Sequence, residues 1–296
     1  MDNRAIGVFD SGLGGLTVLR EMIKKCPNEN LVYFGDCGRI PYGTKSKDTV
    51  QKYTIQDINF LLSKNVKAIV IACNTASAYG FEMARQRFDI PVFEVVTPGA
   101  RAAVRVTKTG RIGVIGTPGT ISTGVYEKAI RQVASESVGA EGAAKSASEG
   151  GAEGGAETKT ERPRKLEIIS KACPMFVPLV EEGWWDNEIA FKIVEEYLLP
   201  LKEQNIDTLV LGCTHYPILE ATISKVLGEG VQLVSSGVEM AKDISDFVCL
   251  KEIHSDSQLG ICEYYTSDSI EKFIEMGQSF LGQPIPQTEH ISIEKY

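Results

Sequence analysis

Short, continuous runs of apolar residues recur along this chain of 296 residues and alternate with longer amphipathic stretches. A continuous apolar run is typical of a strand that is buried on both faces, as the strands of parallel sheets are. Alternation of such strands with helices indicates an α/β fold with mostly parallel sheets and right-handed crossovers. The predicted strands cover residues 6–10, 31–35, 68–72, 91–96, 111–116, 166–170, 208–213 and 232–235.

The chain contains an internal repeat. The segment IGVFDSG at residues 6–12 resembles IGVIGTP at 112–118, and the second copy lies 106 positions after the first. The segment IVIACNT at 69–75 resembles LVLGCTH at 209–215, with an offset of 140 positions. The sequence therefore predicts two copies of one α/β unit.

Residues 135–163 interrupt the second copy. They contain six Gly, six Ala and six Glu and no aromatic residue. Such a segment buries too little apolar surface to offset the entropy of ordering it, although Ala and Glu favour short helical stretches. We interpret it as a flexible low-complexity insertion, which accounts for most of the difference between the two offsets.

Composition and charge narrow the class of protein. The net charge of −8 argues against a nucleic-acid partner or a membrane-surface role. No apolar run reaches the roughly 20 residues that span a bilayer, and the N-terminus lacks the profile of a signal peptide. Seven cysteines without CxxC spacing, together with only three histidines, predict reduced thiols and no zinc site. We therefore expect a cytoplasmic protein with reduced thiols.

Each copy of the repeat carries a cysteine at the carboxyl end of a buried strand, Cys73 in the first and Cys213 in the second. Ligands of open α/β sheets bind at this edge, so we expect the two cysteines on opposite sides of one cleft. Either cysteine alone fits an inert core position, but a matched pair favours a functional role. The backbone N–H groups of a following helix start would favour a thiolate or a substrate carboxylate.

Two thiols across a cleft suit inversion at an acidic carbon. One thiolate removes a proton from one face of the carbon, and the other thiol delivers a proton to the opposite face. The alternative is a thiol–disulfide enzyme. A disulfide needs Cα atoms within about 7 Å, which is closer than a cleft that holds a substrate between the thiols would allow.

Two turns add further candidate residues. The turn DSGLGG at 10–15 has neither GxGxxG nor Walker spacing, so we expect Asp10 and Ser11 to face a ligand other than a nucleotide. In the turn at 36–43, Tyr42 would offer a hydroxyl and Gly43 a closely approaching backbone. Nothing in the other half mirrors Cys37, which is a weak catalytic candidate.

Five motifs stand out in the chain: DSGLGG at 10–15, PYG at 41–43, ACNTA at 72–76, PLVE at 178–181 and GCTHYP at 212–217. Together they resemble the glutamate racemases, cofactor-independent enzymes of the aspartate/glutamate racemase superfamily. The resemblance runs from about residue 5 to about residue 280, apart from the insertion. It implies two pseudo-symmetric α/β domains with the active site between them, the first formed by 1–97 plus 210–296 and the second by 98–209.

The resemblance also implies an activity. The enzyme would interconvert L- and D-glutamate without pyridoxal phosphate or metal, as a homodimer, and would supply D-glutamate for peptidoglycan in a bacterial cytoplasm. Cys73 and Cys213 would transfer the proton, with Asp10 supporting Cys73, and Glu181 and His215 supporting Cys213. The substrate would be held by Asp10, Ser11, Tyr42, Gly43, Asn74, Thr75, Thr214 and His215.

Two alternatives remain open. One is a racemase of the same superfamily that acts on aspartate, because one methylene is worth only about 1–3 kcal/mol in a binding pocket. The other is a non-catalytic binding relative of the gyrase-inhibitor type. The presence of all five acid–base residues favours an enzyme over a binding protein.

Overall fold

A computed structural model describes residues 1–146 and 166–296. Within the first of these ranges, side chains are described as far as residue 136. Strands and helices alternate through these residues, as the apolar pattern predicts. The strands are β1 (Ile6–Asp10), β2 (Leu31–Gly35), β3 (Ala68–Ile71), β4 (Val92–Glu94), β5 (Arg111–Gly116), β6 (Glu167–Ala172), β7 (Thr208–Gly212), β8 (Gln232–Ser235), β9 (Cys262–Thr266) and β10 (Glu289–His290).

The helices pack on the faces of the sheets and separate the parallel strands. No helix in the described ranges is long and apolar enough to cross a membrane. The α-helices are α1 (Leu16–Lys25), α2 (Lys47–Ser63), α3 (Asn74–Arg87), α4 (Val96–Val106), α5 (Pro118–Ser122), α6 (Val125–Ser146), α7 (Phe176–Glu181), α8 (Glu188–Glu203), α9 (Glu220–Leu227), α10 (Ser236–Leu250) and α11 (Ile270–Leu281).

The strands form two parallel sheets. Strand order is β10-β9-β2-β1-β3-β4 in the first sheet and β6-β5-β7-β8 in the second. The order β2-β1-β3-β4 in the first sheet therefore matches the order β6-β5-β7-β8 in the second, when the four strands of each half are counted along the chain. Ile6 pairs with Ala68, and Ile112 pairs with Thr208, which are the positions that the two offsets of the repeat relate. This register confirms the two-copy α/β architecture.

The chain crosses between the sheets twice. The first crossing follows β4 and uses α4, near the expected boundary at residue 97. The second crossing comes later in the chain than the expected boundary at residue 210. Strand β7 pairs with both β5 and β8, so the chain stays in the second sheet until Ser235. It returns through α10, which packs against α1 of the first half.

The insertion begins as a helix. Helix α6 continues to Ser146 and so includes the first residues of the segment expected to be flexible. Ala and Glu in this stretch favour helix. Residues 147–163 of the predicted insertion lie outside the described residues.

Candidate active site

A cavity lies between the two halves, at the carboxyl ends of the central strands. Residues that follow β1 and β3 of the first sheet meet residues that follow β5 and β7 of the second. Apart from Asp10 and Glu181, every site residue expected from the sequence lines this cavity. Its lining is Ser11, Ile40, Pro41, Tyr42, Gly43, Cys73, Asn74, Thr75, Thr117, Val177, Cys213, Thr214 and His215.

Cys73 is held at the N-terminus of α3. Its Sγ accepts a hydrogen bond from the backbone N–H of Ala76 at 3.5 Å and donates one to Ser11 Oγ at 3.6 Å. Burial and, to a lesser extent, the negative charge of Asp10 raise the pKa of Cys73 to about 12. Cys73 is therefore a neutral thiol at physiological pH and can act as an acid.

Cys213 lies beside an imidazole–carboxylate pair. His215 Nδ1 is 3.9 Å from Cys213 Sγ, and His215 Nε2 is 3.1 Å from Oε1 of Glu181, the last residue of α7. Burial works against protonation of His215, but its hydrogen bonds to Cys213 and Glu181 outweigh this and raise its pKa to about 10. The protonated ring can donate to both neighbours, and it places a positive charge beside Cys213 Sγ.

Asp10 connects the two thiol motifs. Its carboxylate is fully buried at the end of β1 and accepts hydrogen bonds from Gly12 N at 3.0 Å and from Thr214 Oγ1 at 3.2 Å. Burial raises the pKa of Asp10, and the charge of His215 opposes this rise. The resemblance to the glutamate racemases assigns Asp10 to Cys73. The charge of Asp10 does act on Cys73. The hydrogen bond that Asp10 accepts from a side chain, however, comes from Thr214 in the Cys213 motif.

Close packing explains the glycines of the turn after β1. A Cβ on Gly14 would overlap Thr214 Oγ1 and His215 Nδ1, and a Cβ on Gly15 would lie 2.8 Å from the Tyr33 hydroxyl. The missing side chain at Gly14 lets this turn approach the Cys213 motif of the other half, whereas that at Gly15 makes room for Tyr33 of the same half.

The turn that contains Tyr42 and Gly43 contributes backbone to the cavity. The Tyr42 hydroxyl hydrogen-bonds to Asp36 and, at 2.9 Å, to Asp57 Oδ2. This hydroxyl therefore serves a buried cluster and is not offered to a ligand, which differs from the expectation. Gly43 does approach closely, because a Cβ there would lie 2.5 Å from Thr117 Cβ.

Asn74 and Thr75 contact the second half across the cavity wall. Asn74 Oδ1 accepts a hydrogen bond from the Tyr126 hydroxyl at 2.6 Å, and its buried Nδ2 has no partner among the described residues. Thr75 Oγ1 lies 2.9 Å from Thr117 Oγ1. Leaving a buried donor unpartnered costs free energy, so Asn74 Nδ2 is suited to donate a hydrogen bond to a substrate oxygen.

The sequence analysis misses Thr117 as a site residue. Thr117 lies 106 positions after Ser11 and is therefore its counterpart in the repeat. The same offset that identifies the two halves could have identified this hydroxyl as a member of the cavity wall.

The remaining cysteines do not enter this cavity lining. All seven cysteines of the chain are free thiols in the described structure. Cys37 lines a neighbouring pocket together with Glu181, and burial raises its pKa to about 12. No three His, Cys, Asp or Glu side chains of the described ranges are grouped so that they could hold a metal ion.

Comparisons with known proteins agree with this site. Residues 6–173 match the model of the family described as Asp/Glu/Hydantoin racemase. A glutamate racemase from Geobacter metallireducens is 43% identical over 98% of this chain and 97% of its own length.

Solved structures extend the comparison. The crystal structure of glutamate racemase isoform RacE1 from Bacillus anthracis matches with a TM-score of 0.85 and 38% identity, covering 99% of this chain and 98% of that one. The glutamate racemase from Francisella tularensis, solved in complex with D-glutamate, matches with a TM-score of 0.84 and 34% identity, covering 100% of both chains. The chain therefore belongs to the glutamate racemases of the Asp/Glu racemase superfamily, which are isomerases.

Proposed function

We propose that this enzyme interconverts L- and D-glutamate by proton transfer between two thiols, without a cofactor. The observation that carries the proposal is the position of Cys73 and Cys213. They occupy equivalent places in the two copies of the repeat, and both line the same cavity. The complex of the similar Francisella tularensis enzyme with D-glutamate supports the choice of substrate.

The protonation states of the two sides set the direction of a first turnover. We assign the thiolate to Cys213, beside protonated His215, and the thiol to Cys73. The Cys213 thiolate takes the α-proton of L-glutamate, so that a C–H bond breaks and an S–H bond forms. The electron pair left on the α-carbon then takes the Cys73 proton from the opposite face, which yields D-glutamate and a Cys73 thiolate. The reverse reaction starts from that state.

The developing negative charge needs hydrogen-bond donors that are already in place. The cavity offers the unpartnered Nδ2 of Asn74 and the hydroxyls of Ser11 and Thr75. The N-terminus of α3 adds backbone N–H groups beside Cys73. We assign these groups to the carboxylates of glutamate.

The division of labour between the thiols is testable with an amino acid that carries a β-leaving group. Elimination needs only removal of the α-proton, whereas racemisation needs both thiols. Cys73→Ser and Cys213→Ser should each nearly abolish racemisation, since a hydroxyl is a much weaker base than a thiolate at neutral pH. Cys73→Ser should keep elimination from the L-enantiomer, and Cys213→Ser from the D-enantiomer. Loss of elimination from the same enantiomer in both variants would refute the two-thiol assignment.

Substrate and cofactor requirements are tested on the unmodified protein. Circular dichroism follows L-glutamate and L-aspartate in separate incubations, after dialysis of the protein against a chelator and a check for pyridoxal absorbance. We expect loss of optical activity with glutamate. Activity that vanishes on dialysis and returns only with a cofactor would overturn the proposal.

We also propose the cellular role that the resemblance implies, which is supply of D-glutamate for peptidoglycan by a cytoplasmic homodimer. Growth of a bacterial strain that requires external D-glutamate tests the supply, because the expressed enzyme should remove the requirement. Sedimentation equilibrium tests the homodimer.

A further inference from the structure

We infer that Tyr126 is a positioning residue that fixes the amide of Asn74 with its N–H donors toward the substrate. Tyr126 lies in the first turn of α6, in the second half, while Asn74 begins α3 in the first half. Both side chains are buried, with 2% of their surface exposed. Their hydrogen bond of 2.6 Å therefore joins the two halves at the wall of the cavity. The inference rests on the proposed role of Asn74 as a substrate ligand.

Tyr126 contacts the structural features that define the site. A Cβ on Gly212, the residue before Cys213, would lie 2.9 Å from Tyr126 Cε2. The Tyr126 hydroxyl bonds to Asn74, the residue after Cys73. One side chain thus touches both thiol motifs, and its ring packs in the core of the second half.

Tyr126 also lies where the chain crosses between the halves. A Cβ on Gly99 of α4 would be 3.3 Å from Tyr126 Cε1 and 3.2 Å from Ser236 Cβ, at the start of α10. The Tyr126 hydroxyl directs its hydrogen to Asn74 Oδ1.

The direction of this hydrogen bond determines what Asn74 offers. An amide has an acceptor oxygen and a donor nitrogen, and free rotation would let either face the cavity. Donation from Tyr126 occupies the oxygen and leaves Nδ2, which has no partner among the described atoms, for the ligand. The site then favours a carboxylate oxygen over an ammonium group at this position.

Tyr126→Phe tests this inference, because it removes the hydroxyl and keeps the ring against Gly212. We expect KM for glutamate to rise about tenfold, the effect of one buried hydrogen bond, with kcat changed by less than about threefold. Tyr265→Phe is the matched control. The Tyr265 hydroxyl is also hydrogen-bonded, to Glu263 and Lys64 in a partly buried setting, but it lies outside the cavity lining. It should leave KM unchanged.

A double-mutant cycle separates positioning from a general structural effect. If Tyr126 acts through Asn74, Tyr126→Phe should have no further effect on KM in an Asn74→Ala background, whereas a structural effect would add. An unchanged KM in Asn74→Ala would refute the substrate role of Asn74 itself. A raised KM in Asn74→Ala together with an unchanged KM in Tyr126→Phe would overturn only the role of Tyr126.

Asn74→Asp tests the amide orientation with Tyr126 intact. The hydroxyl would bond to one carboxylate oxygen, and the other oxygen would face the substrate carboxylate. We expect KM to rise more than in Asn74→Ala. A KM equal to that of the parent enzyme would show that no donor is needed at this position.

Discussion

The Nε2 atom of His215 lies 3.1 Å from Oε1 of Glu181, and the opposite ring nitrogen faces Cys213. Glu181 ends α7 and His215 follows β7, so the pair depends on the packing of two separate elements. The hydrogen bonds of the imidazole to Cys213 and to the Glu181 carboxylate keep it protonated in spite of its burial. This pair gives the Cys213 side of the site a different charge from the Cys73 side.

Glu181→Gln should lower the pKa of His215 from about 10, because the amide removes the negative charge that holds the ring proton. Nitrogen-15 NMR of the histidines measures this directly, since the chain has only three. The variant should also lose more of its elimination activity with the L-enantiomer than with the D-enantiomer. An unshifted His215 titration in Glu181→Gln would contradict the role of this pair.

The same pair makes stability depend on pH. The pKa of His215 is raised on folding, so its contribution is fully present below 6.5 and is lost as pH rises toward about 10. The difference in free energy of unfolding between the parent and His215→Gln should therefore shrink over this range. Urea unfolding at several pH values measures it, and a difference that grows with pH would have the wrong sign.

Gly14→Ala should reduce kcat on the order of a hundredfold, because the added Cβ overlaps Thr214 and His215 and must displace them. Steady-state racemisation kinetics measure the loss. Gly230→Ala is the matched control, since no described atom lies within 4 Å of a Cβ built there. Equal activity in the two variants would show that the turn after β1 tolerates a side chain.

The core strands could be predicted from the sequence because they are buried on both faces. Residues 6–10, 31–35, 111–116 and 232–235 coincide with β1, β2, β5 and β8. Strand β9 is missed, because its sequence CEYYT lacks a continuous aliphatic run.

Site residues could be predicted where they follow such strands, as Cys73 and Cys213 do. Tyr126 could not be predicted in this way. It lies within a helix without a motif, and only tertiary packing brings it to Asn74.

Asp57→Asn should cost less than about 1 kcal/mol of unfolding free energy, whereas Arg39→Met should cost about 3–5 kcal/mol. The Tyr42 hydroxyl contacts both Asp36 and Asp57 but has one hydrogen to donate. Burial and the nearby Asp36 raise the pKa of Asp57, so we assign the second proton to that carboxyl. Arg39 then balances the one remaining charge, and its loss leaves that charge buried. Urea unfolding compares the variants, and equal destabilisation would contradict a neutral Asp57.

Thr117→Val should raise KM for glutamate about tenfold, because it removes a hydroxyl from the cavity wall while keeping the shape of the side chain. Thr117 Oγ1 lies 2.9 Å from Thr75 Oγ1 and 3.1 Å from Thr120 Oγ1, so it joins the first half to the start of α5. Thr117→Ser keeps the hydroxyl and should resemble the parent enzyme.

The control for Thr117 is Thr123→Val, three residues beyond Thr120. Its hydroxyl donates to the backbone oxygen of Thr120 at 2.7 Å and does not line the described cavity. Loss of that hydroxyl should leave KM unchanged, because it serves the end of α5 and not the substrate. Steady-state kinetics on all three variants measure the effect. If Thr117→Ser were as impaired as Thr117→Val, the methyl group and not the hydroxyl would be what the site requires, and Thr117 would not be the functional counterpart of Ser11.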